Sequence, residues 1–181
     1  MKKLLTLFIS LLMIMSLVGC ASSSDVTLTL PAYFYSNTKE VTQEELDPMV
    51  KDGIKSLTVS DDGTTVTAVM SKDRQNTTLK SVKDQLDTMI KSLAEDGSHV
   101  SDVKYNDGLS EFDVYITDEE IGIYDAIAAI SFTSYGLIYN TYTGKESSKV
   151  TINYHKTDGS IIDSSSYEGT FSQFMDEFHQ W

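Results

Sequence analysis

The residues able to do chemistry are few and scattered. The chain has one cysteine, Cys20, and three histidines, His99, His155 and His179. There is no Gly-x-Ser-x-Gly elbow to present a serine nucleophile. No Ser-x-x-Lys stands in the company of the partner motifs of a penicillin-binding site. The histidines show neither a His-Glu-x-x-His pattern nor paired spacing, so nothing indicates zinc. His99 follows Asp96-Gly97-Ser98, His155 lies beside a turn and His179 is next to the C-terminus; all three read as surface residues. Acids cluster at Asp61-Asp62, Glu95-Asp96 and Asp118-Glu119-Glu120. None fits the twelve-residue calcium loop, with acids at alternate positions, a central glycine and a closing glutamate. The first cluster reads as turn chemistry, the third as negative charge complementing a helix N-terminus. No glycine-rich phosphate loop is present. The sequence therefore assigns no catalytic residue, no cofactor and no metal.

Composition narrows the partners. The 181 residues include 14 Lys+Arg against 27 Asp+Glu, a net charge of −13, with Arg74 the single arginine. Nucleic acid is bound largely through Lys and Arg on phosphates, so it is excluded as a partner. Phosphorylated ligands held by arginine forks are disfavoured for the same reason. Ten tyrosines and seven phenylalanines argue for an ordered globule rather than an acidic disordered tail.

The elements that must position any site read as hairpins and helices. Val26 to Tyr35 opens with strict alternation and predicts a strand, with Pro31 ending it or marking an edge. Thr42 and Glu45 have capping-box spacing for a helix that Pro48 limits, with Asp47 as a second cap and Gly53 as a stop. Three pairs of short β-rich runs then surround Asp62-Gly63, Asp107-Gly108 and Asp158-Gly159. Asp-Gly between alternating runs is a hairpin signal, because glycine supplies the positive φ of the turn. A helical pattern follows each hairpin. In the first, Leu79, Val82, Leu86, Met89, Ile90 and Leu93 form one stripe, with Ser71 as N-cap and Gly97 past the end. In the second, Asp118 caps a helix running to about Tyr142. In the third, residues 170–178 form a terminal helix with Phe171, Phe174, Met175 and Phe178 on one face. The expected fold is an α+β two-layer domain over 26–181: one antiparallel sheet of hairpins, helices on one face, and three ββα units as a possible repeat.

The second helix is apolar nearly all round, which marks a buried helix or a membrane span. Asp125 and several hydroxyls argue for the buried helix. Tyr135, Tyr139 and Tyr142 fall at i, i+4 and i+7 within it. Packing accounts for them; the functional alternative is a tyrosine-lined groove for a peptide or an apolar ligand.

Cys20 belongs to a different pattern. Lys2 and Lys3 precede an apolar run from Leu4 to Val18, followed by Gly19-Cys20. A positive start, an apolar stretch and a small residue at the cut describe a secretory signal peptide. The run is about 15 residues, short of the roughly 20 that a spanning helix needs. Leu17-Val18-Gly19-Cys20 resembles a bacterial lipobox. The resemblance implies cleavage between Gly19 and Cys20, lipidation of Cys20 by a diacylglyceryl thioether, and a palmitate-type membrane anchor. An uncleaved membrane anchor is the alternative; the short run and the position of the only cysteine favour cleavage. Residues 20–25 then form a small, polar tether. Without residues 1–19, which carry Lys2 and Lys3 and no acid, 12 basic residues face 27 acids, a charge of −15 on 162 residues.

Together with Leu57-Thr-Val-Ser-Asp-Asp-Gly-Thr-Thr-Val-Thr-Ala-Val-Met-Ser-Lys72, this arrangement resembles small, functionally uncharacterised lipoproteins of Gram-positive bacteria. The resemblance implies the outer face of the cell membrane and carries over no catalytic residue. Three functions follow as expectations. The first is a lipid-anchored, non-enzymatic module that binds an envelope protein or a small ligand. The second is an envelope hydrolase whose site is assembled from scattered acids and tyrosines. The third is a subunit of a larger envelope complex.

Overall fold

The computed structural model describes residues 24–36, 38–95, 99–118 and 120–178. In chain order the elements are β1 (Asp25–Pro31), α1 (Gln43–Leu46), β2 (Ile54–Val59), β3 (Thr65–Ser71), α2 (Lys72–Glu95), β4 (Val100–Tyr105), β5 (Glu111–Ile116), α3 (Ile123–Tyr142), β6 (Ser148–Lys156), β7 (Ile161–Gly169) and α4 (Phe171–Phe178). The class is α+β, with each of the three hairpins followed by a helix.

The hairpins do not share one sheet. The strands divide into a three-stranded sheet ordered β1-β3-β2 and a four-stranded sheet ordered β4-β5-β6-β7. Nor is the second sheet wholly antiparallel, because β5 and β6 pair in parallel. The cause is the long connection between them: α3 carries the chain back to the starting end of β5 before β6 begins, as parallel neighbours require. The chain divides into two compact units: residues up to 81 with 141–146, and 82–140 with 147 onward.

In the first unit, β1 is an edge strand ending at Pro31, where the missing N–H costs the sheet nothing. Asp25, expected in the tether, is the first residue of β1; it pairs with Ser71, and its carboxylate lies 2.6 Å from the Lys55 ammonium. The core gathers Leu28, Leu30, Leu46, Leu57, Val66 and Met70. Thr42 and Glu45 form the expected reciprocal cap of α1. Ser71 Oγ accepts from Arg74 N–H at 3.2 Å and caps α2.

In the second unit, every other residue of β5 and β6 points inward: Phe112, Val114 and Ile116, with Val150, Ile152 and Tyr154. Against them lies α3, buried from Ser131 through Ile138, so packing in a core explains its all-round apolarity. Among the described residues no helix is long and apolar enough to cross a membrane. Phe132 stacks on Phe112, with ring centroids 5.3 Å apart. The expected start of α3 is displaced. Asp118 is not its cap; the helix opens at Ile123, where the Asp125 carboxylate reaches back to accept the Gly122 N–H. Thr170 and Gln173 exchange hydrogen bonds of 3.1 and 2.9 Å, a capping box that starts α4.

Candidate functional site

Two places in the second unit concentrate polar groups. The first is the side of the four-stranded sheet opposite the buried residues. Strand alternation puts Glu111, Asp113 and Tyr115 there from β5, and Thr151, Asn153 and His155 from β6. The parallel register sets Asp113 beside Asn153 and Tyr115 beside His155. Asn153 Nδ2 donates to Glu111 Oε1 and Asp113 Oδ1, both at 3.1 Å. Ser164 Oγ donates to Asn153 Oδ1 at 2.8 Å. His155 Nε2 lies 2.8 Å from Asp113 Oδ1, and its Nδ1 lies 3.3 Å from the Gly159 carbonyl oxygen. Partial burial works to raise the Asp113 carboxyl; the His155 and Asn153 hydrogen bonds and the charges of His155 and Lys104 outweigh it and hold the group below the ordinary value.

This cluster has the residue types of a hydrolytic site without its geometry. Both nitrogens of the His155 ring are engaged, and the nearest serine hydroxyl in the network is directed at Asn153 rather than at the ring. No nucleophile therefore stands beside a base able to take its proton. Nor is Tyr115 an open stacking platform. The His155 ring stacks on it at 5.0 Å from β6, and the Lys104 ammonium lies 4.7 Å from its centroid from β4, on the other side of β5. The network ties β5, β6 and β7 together through cross-strand pairs.

The second place is the start of α3. Asp125 is 1% exposed. Its Oδ2 accepts the Gly122 N–H at 2.7 Å, while Oδ1 is the one buried side-chain polar atom without a hydrogen bond among the described residues. The Tyr154 hydroxyl donates to the Asp125 backbone carbonyl at 3.0 Å. Burial, and then the negative charges of Asp125 and Asp163, push the Tyr154 hydroxyl up to about 12. The two residues before Asp125 in the chain, Ile123 and Tyr124, are 74% and 62% exposed.

The residues singled out in the sequence are dispersed. Gly19, Cys20 and His179 lie outside the described residues. Tyr135 is buried in the second unit, and burial raises its hydroxyl to about 12. Tyr139 carries the Lys83 ammonium 5.2 Å from its ring centroid. Tyr142 belongs to the first unit, where it stacks on Phe34 with centroids 5.3 Å apart. His99 Nδ1 lies 2.5 Å from Asp118 Oδ2, across the base of the β4–β5 hairpin. Asp62 accepts from Ser60, the Thr64 N–H and the Thr64 hydroxyl, the turn chemistry expected of it. Among the described residues no group of three His, Cys, Asp or Glu is placed to hold a metal ion.

Sequence reasoning passed over both polar clusters. Asp113 and His155 are far apart in the chain, and only the parallel pairing joins them. Asp125 carries a usable signal, since it stands three residues after a glycine at the head of an apolar helix. Compared with known proteins, the chain matches no family model, no curated protein and no solved structure.

Proposed function

We propose that this chain is a lipid-anchored extracytoplasmic protein that binds a partner without transforming it. The observation that carries the anchor is Leu17-Val18-Gly19-Cys20 behind a positively started apolar run, with the chain's only cysteine at the lipidation position. A diacylglyceryl cysteine brings two fatty chains, and two hold a protein stably on a membrane where one does not. The acidic chain keeps the domain clear of anionic headgroups. Binding rather than catalysis is supported by the Asp113–His155 cluster, in which every candidate catalytic group is occupied by a structural hydrogen bond.

Metabolic labelling with a palmitate analogue tests the anchor. The wild-type chain is expected to take up label and to partition with membranes. Cys20→Ala is expected to lose the label and to accumulate unprocessed or released. Label retained by Cys20→Ala overturns the reading. Retention of an envelope protein or wall polymer by the immobilised full chain tests the binding half, and a measured hydrolytic turnover on envelope substrates overturns it.

A further inference from the structure

We propose that β7 is a self-association edge: two copies of this chain pair their β7 strands antiparallel, about a two-fold axis through Ser165, and join their four-stranded sheets into one. Neither the anchor nor the partner inferred above is required for this.

An edge strand offers unpaired N–H and C=O groups to any further strand, and proteins usually guard it. Among the described strands, three of the four edges are guarded. β1 ends in Pro31, which has no N–H to offer. Gln43 occupies the edge of β2: its amide donates to the Leu57 carbonyl at 2.9 Å and accepts the Val59 N–H at 3.2 Å, as a neighbouring strand would. β4 carries a register shift between Val100 and Asp102, and an exposed Lys104. β7 is nine residues long and has neither lysine nor proline, and its register shift falls between Ile161 and Asp163, before the stretch 163–167. No backbone group outside β6 bonds to the backbone of residues 161–169 among the described residues. The Ser164 N–H is met by the carboxylate of its own neighbour Asp163, at 2.8 Å, so it faces the open side. There is also room beside the strand. Val150, Ile152 and Tyr154 on β6 are buried, whereas residues 163–166 are exposed in succession, on both faces of β7. The layer that covers β6 stops short of β7, and a further strand displaces no helix there.

Register selects the occupant. About Ser165, Asp163 of one copy falls opposite Tyr167 of the other, Ser164 opposite Ser166, and Ser165 opposite itself, so no acid faces an acid. The two Asp163 carboxylates lie four residues apart along the strands, about 13 Å, beyond the roughly 8 Å over which exposed charges act at physiological salt. A basic peptide finds less to read. Asp163 and Glu168 point to opposite faces of β7 and make no continuous acidic row. Pairing of one strand with its own copy closes on itself and yields a dimer rather than a fibre. Two short strands make a small interface, so the dimer is weak and concentration-dependent.

The experiment uses the full chain in density-matched detergent and sedimentation equilibrium. The wild-type mass is expected to rise with concentration towards that of a dimer. It should rise further with salt, which screens the charge of −13 on each copy. Ser165→Asp sets like charges face to face and should weaken self-association by about fivefold or more. Disulfide trapping then reads the register. With Cys20→Ala removing the native thiol, Ser165→Cys faces its own copy at a Cα separation of about 5 Å and should give a crosslinked dimer under mild oxidation. Ser166→Cys stands about 8 Å from its copy, too far for a disulfide, and should crosslink about tenfold less. If Ser165→Asp lowers the melting temperature, the two cysteine variants decide alone. A wild type that stays monomeric overturns the proposal, as does self-association that a stably folded Ser165→Asp leaves unchanged. Equal crosslinking from positions 165 and 166 overturns it as well. An extended lysine–valine peptide that binds a monomeric wild type overturns it in favour of a basic partner strand.

Discussion

The three hairpins carry the same Asp-Gly signal, yet two of their turns are built differently from the third. In the β2–β3 and β6–β7 turns, glycine takes the left-handed backbone, Gly63 at φ 74° and Gly159 at φ 89°. There Asp62 and Asp158 each accept hydrogen bonds from the residue two positions on. In the β4–β5 turn, Gly108 does not adopt positive φ; Leu109 does, at 49°, with its side chain fully buried. The β6–β7 turn stands in solvent and follows local chemistry; the β2–β3 turn keeps the same local chemistry with the Val41 N–H donating to the Gly63 carbonyl at 2.9 Å. The third is pressed against α3. Asn140 Nδ2 donates to the Gly108 carbonyl at 3.1 Å, and a Cβ on Gly136 would lie 2.4 Å from the Leu109 carbonyl oxygen. Burial of a leucine there offsets the roughly 1–2 kcal/mol that a left-handed L-residue costs. A turn signal in a sequence fixes where the chain reverses; it fixes the backbone only where burial of a neighbouring side chain does not override it.

The largest effect should come from Leu109→Ala, about 3 kcal/mol of lost stability by denaturant unfolding, because a buried side chain vanishes while the strained backbone remains. Leu109→Gly sharpens the comparison: it loses the same side chain but is free at positive φ, so it should be more stable than the alanine variant by about 1 kcal/mol. An alanine variant at least as stable as the glycine one would show that the left-handed backbone carries no strain. Next comes Gly136→Ala, expected to cost about 2 kcal/mol because the new methyl meets backbone rather than a side chain that could move.

The solvent turn should respond more weakly. Around Gly159 a Cβ meets nothing within 4 Å, so Gly159→Ala should cost only the conformational penalty, about 1 kcal/mol by thermal unfolding. The smallest effect is acid sensitivity. Ser160's hydroxyl and backbone N–H hold the exposed Asp158 carboxyl below its ordinary value of 3.8. A depressed folded value means that the stabilisation is present above pH 3.8 and is lost as pH falls below it. Asp158→Ala should therefore show a slightly flatter stability profile at the acid end and no change in slope above pH 5 or so.

Much of the fold could be read from the residues because local chemistry decided it. The hairpin runs, the Thr42 and Ser71 caps, the buried stripe of α2 and the burial of α3 all follow from periodicity and short-range hydrogen bonds. The division into two sheets could not be read, because strand pairing beyond a hairpin depends on where α3 returns the chain. The displaced start of α3 has a similar origin. Asp118 has the side chain of a cap, but His99 claims it, and Asp125 three residues beyond Gly122 closes the turn instead. The tyrosines at helical spacing looked like a groove, yet each meets a different environment, two in one unit and one in the other. At the start of α3, Asp125 was visible in sequence only as an interruption of an apolar run; the exposure of Ile123 and Tyr124 had no sequence signal.

The parallel seam between β5 and β6 also carries the largest loop-closure cost of the four-stranded sheet. The β4–β5 and β6–β7 hairpins close on their own turns, with little chain to organise. The seam brings together residues such as Phe112 and Ile152, about 40 positions apart, so its loop-closure cost falls due before any of its hydrogen bonds are made. Forming α3 shortens the connection that has to be closed, which lowers that cost. On contact separation alone the middle of the four-stranded sheet is its most costly seam to close, and the Asp125 carboxylate, which accepts the Gly122 N–H, starts the helix that shortens it.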